Sequence, residues 1–228
     1  MQALSIEGRE ISRVFLIDDD PDVREGYDGI LYDLNVRKEE VTKIRNVAEL
    51  IKFSDWHDGY VCDFQLTNTM YSPINGDVIV SSLYEKKIPA VLCSRNAEMV
   101  SSVRSLRHSI PCILDARDLN GDNVVAAFST CIKEFSGTFS RQRKPWPALV
   151  RIENIVISGD GFARVAVVVP GWDPQTMIEI DVYPHQHEFY QLMLDTLDGG
   201  DIFRAMAKVN LDAEGLKDIY IKDWALIK

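Results

Sequence analysis

The chain has no long apolar run, so nothing in it reads as a transmembrane helix. Its start, MQALSIEGREIS, lacks the basic and apolar regions of a secretory signal. Cysteines are few. Cys62, Cys93, Cys112 and Cys131 each lie inside an apolar run, and none forms a CxxC pair. They read as small buried hydrophobes in a reducing, cytoplasmic setting rather than as disulfides or metal ligands. Positive charge is also short: 25 Lys and Arg face 35 Asp and Glu, a net charge of −10. That balance disfavours passive binding to nucleic acid or to an anionic membrane. There is no P-loop, no Ser-His-Asp set, no internal repeat and no helix-turn-helix, which argues against a conventional transcription factor.

What is present is a core-forming chain of 228 residues, 46% of them apolar, enough for one large domain or two modest ones. Its organising stretch is Val14-Phe-Leu-Ile-Asp-Asp-Asp20, followed by Pro-Asp-Val-Arg24. A buried strand that stops at adjacent acids delivers them to the carboxyl edge of a sheet, where ligands bind in open α/β folds. Neighbouring carboxylates repel unless a cation lies between them, and Mg²⁺ suits such oxygen ligands.

Strand and helix then alternate. Strands are expected at 13–17, 40–44, 60–64, 89–94 and 110–114, with helices at 21–34, 47–56, 76–86, 97–107 and 123–135. Short, nearly continuous apolar strands in this order predict a parallel five-stranded sheet with helices on both faces. Right-handed crossovers bring the strand ends carrying Asp18, Asp19, Asp63 and Ser94 to one edge.

From about residue 13 to 135 the sequence resembles the receiver domains of two-component response regulators. The resemblance rests on Leu-Ile-Asp-Asp-Asp-Pro-Asp-Val-Arg, on Asp63 ending Val-Cys-Asp-Phe, on Asn75-Gly-Asp, and on Leu-Cys-Ser94 after Ile-Pro-Ala. It implies a receiver, flavodoxin-like fold in which Asp18, Asp19, Asp63 and the backbone carbonyl of Gln65 hold Mg²⁺. By the same resemblance Asp63 accepts the phosphoryl group and Ser94 is the switch hydroxyl. A histidine kinase or kinase-like ATPase is the implied input partner. Chemically, Asp63 would be a carboxylate nucleophile that forms an acyl phosphate.

The departures weaken that assignment. Asp115 stands where the family has a lysine, Ala116 where it has a proline, and Cys112 where it usually has an aromatic switch residue. Four carboxylates without a fixed cation should raise a carboxyl pKa and leave a phosphoryl group short of a partner. Arg95 or Arg117 are the candidate replacement cations. The loop after Asp63 is longer than usual, so it is expected to lie over the pocket. Three readings of the corner stand: a competent phosphoacceptor, a pocket that keeps metal or weak phosphorylation but signals by contact, and a pseudo-receiver whose acids are relics.

The stretch Ser136–Pro147 carries a glycine, serines, a basic cluster and two prolines, and residues 138–147 read as a linker between a 1–137 receiver-like domain and a 148–228 domain. The second domain changes to β: strands at 149–157, 162–169, 177–183, 203–211 and 218–227, a hairpin at Ser158-Gly-Asp-Gly161, and one helix at 187–197. The order β-β-β-α-β-β predicts a small all-β barrel of OB type, with an SH3-like barrel as runner-up. Arg151, Arg164, Arg204 and Lys208 are its candidate contacts for an acidic strand. His185 and His187 with Glu188 read as a strand-to-helix turn rather than a chelate.

The whole reads as an atypical response-regulator-like signalling protein. Its degenerate receiver takes input by phosphorelay or docking, and its barrel relays it to an unknown protein effector. Any enzymatic step is limited to phosphotransfer onto Asp63. The alternatives are a nucleic-acid-linked adaptor that binds single strands through the barrel, and a metal-dependent phosphohydrolase.

Overall fold

Apolar runs that need cover on both faces make the first sheet. They are β3 (Arg13–Ile17), β5 (Asp58–Asp63) and β6 (Ala90–Cys93), flanked by β4 (Arg37–Val41) and β7 (Ile113–Leu114). All pair in parallel, in the order β4-β3-β5-β6-β7. Numbered among themselves these strands run 2-1-3-4-5, the flavodoxin-like doubly wound order. The computed structural model describes residues 3–94, 101–159, 161–185 and 187–227.

The helices start where the sequence supplies caps. Asp20 accepts the Asp22 N–H ahead of α1 (Pro21–Ile30), which has proline in its first turn. Asn46 caps α2 (Val47–Phe53) and Asn120 caps α5 (Gly121–Phe135). Helix α3 (Gly76–Glu85) begins at a glycine for a steric reason. A Cβ there would meet the Asp63 carbonyl oxygen at 1.9 Å.

Two features depart from expectation. The polar N-terminus forms an antiparallel hairpin, β1 (Leu4–Ile6) and β2 (Arg9–Ile11). Its turn places Glu7 and Gly8 at φ of 49° and 77°, the positive values a type I′ turn requires. Ile6 and Ile11 enter the core. Buried Arg9 donates to the carbonyls of Trp56 and Lys87, at 2.7 and 2.6 Å, and its guanidinium lies 3.9 Å from the Trp56 ring centre. The second departure is β4, which lies three residues before the expected strand. It is an edge strand with one partner, so it tolerates the charged Arg-Lys-Glu-Glu run. Those charges are paired: Lys38 with Asp28, and Glu40 with Arg24.

The chain divides into two units, Met1–Ala97 with Ser109–Phe139, and Glu98–His108 with Ser140–Lys228. This differs from the expected boundary in two ways. The short helix α4 (Ser101–Leu106) groups with the C-terminal unit although β-α alternation assigns it to the first. Residues 97–100 of the expected helix lie outside the described residues. The expected linker is also divided, with residues from Ser140 onward built into the second unit. Buried Arg143 donates to the carbonyls of Arg107 and His108, and Arg141 pairs with Asp212.

The second unit holds β8 (Trp146–Gly159), β9 (Phe162–Val169), β10 (Asp173–Val182), α6 (Tyr190–Asp198), β11 (Phe203–Val209) and β12 (Ile221–Leu226). They form one antiparallel sheet in the order β10-β9-β8-β11-β12. Alternate residues Phe203, Ala205, Ala207 and Val209 face a core shared with Val165, Val167, Ile178 and Met193. The strand order matches expectation, but among the described residues no pairing joins β10 to β12, so backbone hydrogen bonds do not close a barrel. Trp172 Nε1 instead ties the turn before β10 to the Ala213 carbonyl at 2.9 Å.

Helix α4 lies against β10 through one side chain. The Asp181 N–H donates to Ser105 Oγ at 3.0 Å, and Ser105 Oγ donates to the Asp181 carbonyl at 3.3 Å. One hydroxyl thus satisfies both backbone groups of a residue on an edge strand. Arg107, just after α4, reaches Asp218 at 3.4 Å. No helix among the described residues is long and apolar enough to cross a membrane.

Candidate functional site

The acids of the first unit leave the sheet side by side. Ile17 pairs with Cys62 across β3 and β5, so Asp18 and Asp63 follow from matching positions at the carboxyl edge. Asp63 in turn pairs with Cys93, which places Ser94 one residue further along the neighbouring strand. The Ser94 N–H donates to the Leu114 carbonyl at 3.0 Å and fixes the end of β6.

Asp18 is buried. Its Oδ1 accepts the Asp20 N–H at 2.9 Å, and its Oδ2 accepts the Tyr27 hydroxyl at 3.1 Å. Arg24, also buried, donates to the Asp18 carbonyl. Burial raises the Asp18 pKa, helped by the charges of Asp19 and Asp20, while the two hydrogen bonds oppose the rise. Asp63 is pushed up to about 6, first by burial and then by the charges of Asp18 and Asp19. The N–H groups of Gln65, at 2.7 Å from Oδ2, and of Phe64 pull the other way. Among the described residues no cation forms an ion pair with Asp63.

The fourth acid behaves differently from expectation. Asp115 caps the 3-10 turn of Ala116–Asp118 and grips Arg117 in a fork, with Nε–Oδ1 at 2.9 Å and Nη2–Oδ2 at 2.5 Å. Arg117 therefore neutralises Asp115, and Asp115 is not among the causes of the raised Asp63 pKa. Arg95, the other candidate cation, lies outside the described residues. Cys112 is half-buried, with its thiol 4.0 Å from the Ala127 carbonyl.

The donor set suits Mg²⁺ in kind, since Asp18, Asp19, Asp63 and the Gln65 carbonyl are all hard oxygen ligands. It does not suit it in arrangement. Each carboxylate accepts an internal hydrogen bond, Asp19 from Thr69 Oγ1 at 2.8 Å. Among the described residues no three His, Cys, Asp or Glu side chains are grouped to hold a metal.

In the second unit, three of the four candidate cations are already paired. Arg164 holds Asp181 at 2.7 Å, Lys208 holds Asp223 at 2.9 Å and Arg151 holds Glu153 at 2.9 Å. Arg204 stands opposite Arg151 in the sheet and donates to the Ile202 carbonyl. His187 stacks on Phe189 at 5.0 Å and meets Trp224 edge-on, as a turn anchor does.

Sequence reasoning passed over Arg24, Tyr27, Thr69 and Tyr71 as site residues. Tyr27 was legible only as part of an apolar stripe, and Thr69 only as part of a long loop. The surest clue was Asn75-Gly76, where a backbone must pass close to Asp63.

No family model and no curated protein matches the chain. Several solved structures are similar. A response regulator receiver domain protein from Clostridium thermocellum has a TM-score of 0.44 at 8% identity, covering 55% of this chain and 98% of that one. NtrX from Brucella abortus has a TM-score of 0.43 at 14% identity, covering 65% of this chain and 31% of that one. The response regulator TrrA from Thermotoga maritima, in complex with Mg²⁺ and BeF, has a TM-score of 0.36 at 17% identity, covering 46% and 86%. The fold itself is read from the strand order and register.

Proposed function

We propose that this chain is a signalling protein whose receiver-like unit takes input at Asp63 and whose second unit relays it through protein contacts. The observation that carries the reading is Asp63 itself. It ends the central strand, beside two further carboxylates, with a pKa raised to about 6 and no ion-pair partner among the described residues. Near pH 7 such a group is about tenfold more ionised than protonated, so it stays nucleophilic. The Gln65 and Phe64 N–H groups orient the carboxylate, one oxygen of which attacks phosphorus. A new carboxylate O–P bond forms as the donor's bond to phosphorus breaks, giving an acyl phosphate. Asp18, Asp19, Asp63 and the Gln65 carbonyl would have to rearrange before they could hold Mg²⁺.

The input partner is a histidine kinase or kinase-like protein. It acts by phosphoryl transfer or by direct docking, and the effector is a protein. The loss of the family's lysine, with Asp115 committed to Arg117, favours the docking form. The ion pairs of Arg151, Arg164 and Lys208 weigh against a basic stripe for single strands.

The test is to incubate the chain with acetyl phosphate and Mg²⁺ and map any adduct by mass spectrometry. Thermal stability with Mg²⁺ and beryllofluoride is measured alongside. Phosphoryl transfer predicts an adduct on Asp63 and a raised Tm, both lost in Asp63→Asn. No adduct and no Tm shift would remove the transfer arm and leave docking.

A further inference from the structure

Away from the acidic edge, the first unit carries a groove of about 360 Å³ beside α2. One wall is the segment that leaves β4, from Val41 to Arg45. The other is one side of α2, where Glu49, Leu50 and Phe53 recur at three- and four-residue spacing. Both walls are fixed from behind. Tyr71 donates its hydroxyl to the Val41 carbonyl and accepts the Ile44 N–H at 2.9 Å on its own carbonyl, and the Ile44 side chain is buried. Asn46 Oδ1 accepts the Ala48 N–H at 2.9 Å and holds the start of α2. A groove already formed loses little ordering entropy when something enters it.

The lining reverses the charge of the chain. Residues 41–53 carry Lys43, Arg45 and Lys52 against one acid, Glu49, in a chain of net charge −10. Arg37 and Lys38, a few residues earlier, are paired with Glu39 and Asp28. Lys43 and Arg45 line the groove, and neither has an ion-pair partner among the described residues. Phe53 lines it too, 75% exposed and without a ring contact among the described residues. Two unpaired cations beside an uncovered ring fit a partner that is acidic and carries an apolar side chain. Glu49 on the same wall disfavours a strand of nucleic acid, whose phosphates repeat at every nucleotide, whereas a short peptide can keep its charges on the cations. We infer that this groove docks an acidic peptide segment of a partner protein, with an apolar side chain against Phe53 and Leu50 and carboxylates on Lys43 and Arg45. This gives the docking input of the first unit a chemistry and rests on that reading, but it uses no residue of the acidic edge.

The experiment is fluorescence anisotropy of the full chain with a labelled peptide, Glu-Asp-Phe-Asp-Glu, at low and at physiological salt. Binding is expected, and it should weaken as salt rises. Phe53→Ala should weaken it about tenfold, as loss of an aromatic anchor does. Lys43→Ala with Arg45→Ala should weaken it about as much and flatten the salt dependence, whereas Glu49→Gln should tighten it about threefold. These four side chains are exposed, so the variants keep the fold, which a melting curve checks. Asp63→Asn should bind the peptide as the wild type does, and acetyl phosphate labelling reads Asp63 by itself. No binding at low salt, equal binding of a peptide with Lys in place of its acids, or unchanged affinity in the variants overturns the groove and leaves input at Asp63 standing. A short oligothymidylate or free phenylacetate that binds as tightly as the peptide also overturns the inference, and assigns the groove to single strands or to a small anion.

Discussion

The acidic edge of the first unit and the sheet of the second handle charge in different ways. In the first, short parallel strands gather acids at one edge. Asp63 is left without an ion-pair partner among the described residues, and its pKa climbs to about 6. In the second, surface charges on long antiparallel strands find partners, Arg164 in its register partner Asp181 and Lys208 in Asp223. Burial, with repulsion added, is a cost to folding that carboxylates at functional sites often carry. Paired charges on a sheet surface set register and solubility instead. The proposal of input at Asp63 and relay through the second unit rests on this contrast.

The largest effect that tests this contrast comes from Gly76. Its missing Cβ is what lets α3 start against the Asp63 carbonyl, and backbone cannot give way as a flexible side chain can. Gly76→Val should cost about 3 kcal/mol or more in the first unit. Exchange protection should fall in β5 and α3 and stay unchanged in β8 and β9. Equal loss in both units would break the separation.

Next is Ser105→Ala, which removes the hydroxyl shared by the Asp181 N–H and carbonyl. Leaving those groups unmet should cost about 1–3 kcal/mol, read as faster exchange at the Asp181 amide. An unchanged rate there would show that water already serves that edge.

Acid should then drive the units in opposite directions. Asp63 has a folded pKa above its ordinary value, so its ionisation weakens the fold. Stability is highest below pH 4 and is lost as pH rises through about 6. Asp63→Asn should therefore gain about 1–2 kcal/mol near pH 8 and nothing near pH 4. His108 is the reverse. Burial, with Lys222 and Arg143 nearby, lowers it to about 4. Its neutral form suits the fold, and stability is lost as pH falls from about 6.5 toward 4. His108→Gln should flatten that loss by a similar amount. Urea titrations at pH 4, 6 and 8 check both. The smallest effect is Lys208→Ala, which breaks an exposed pair and should change stability by less than about 0.5 kcal/mol.

Much of the first unit was legible because buried parallel strands announce themselves. Val14–Ile17, Tyr60–Cys62 and Ala90–Cys93 are apolar throughout, and each runs into the residues of the pocket. The charged edge strand β4 carries no such signal, and neither does a hairpin of three-residue strands. The acids were legible as a set, but their partners were not. Spacing cannot show that Arg117 folds back on Asp115, or that Thr69 crosses the chain to Asp19. Helix α4 shows the deepest limit. Periodicity says that a segment is helical, but not which sheet it will meet.

That last feature also has a meaning for the order in which the chain is made. Ser105 and Asp181 are 76 residues apart, so α4 emerges well before the strand whose edge it covers. Bringing them together closes a long loop, and that entropy is spent before the contact gives anything back. The second unit can therefore complete itself only after α5 and the first three strands of its own sheet have been synthesised. A chain cut at residue 138 to separate the halves would leave α4 with the wrong half, and β10 would enter solution with an open edge that invites strands from neighbouring molecules.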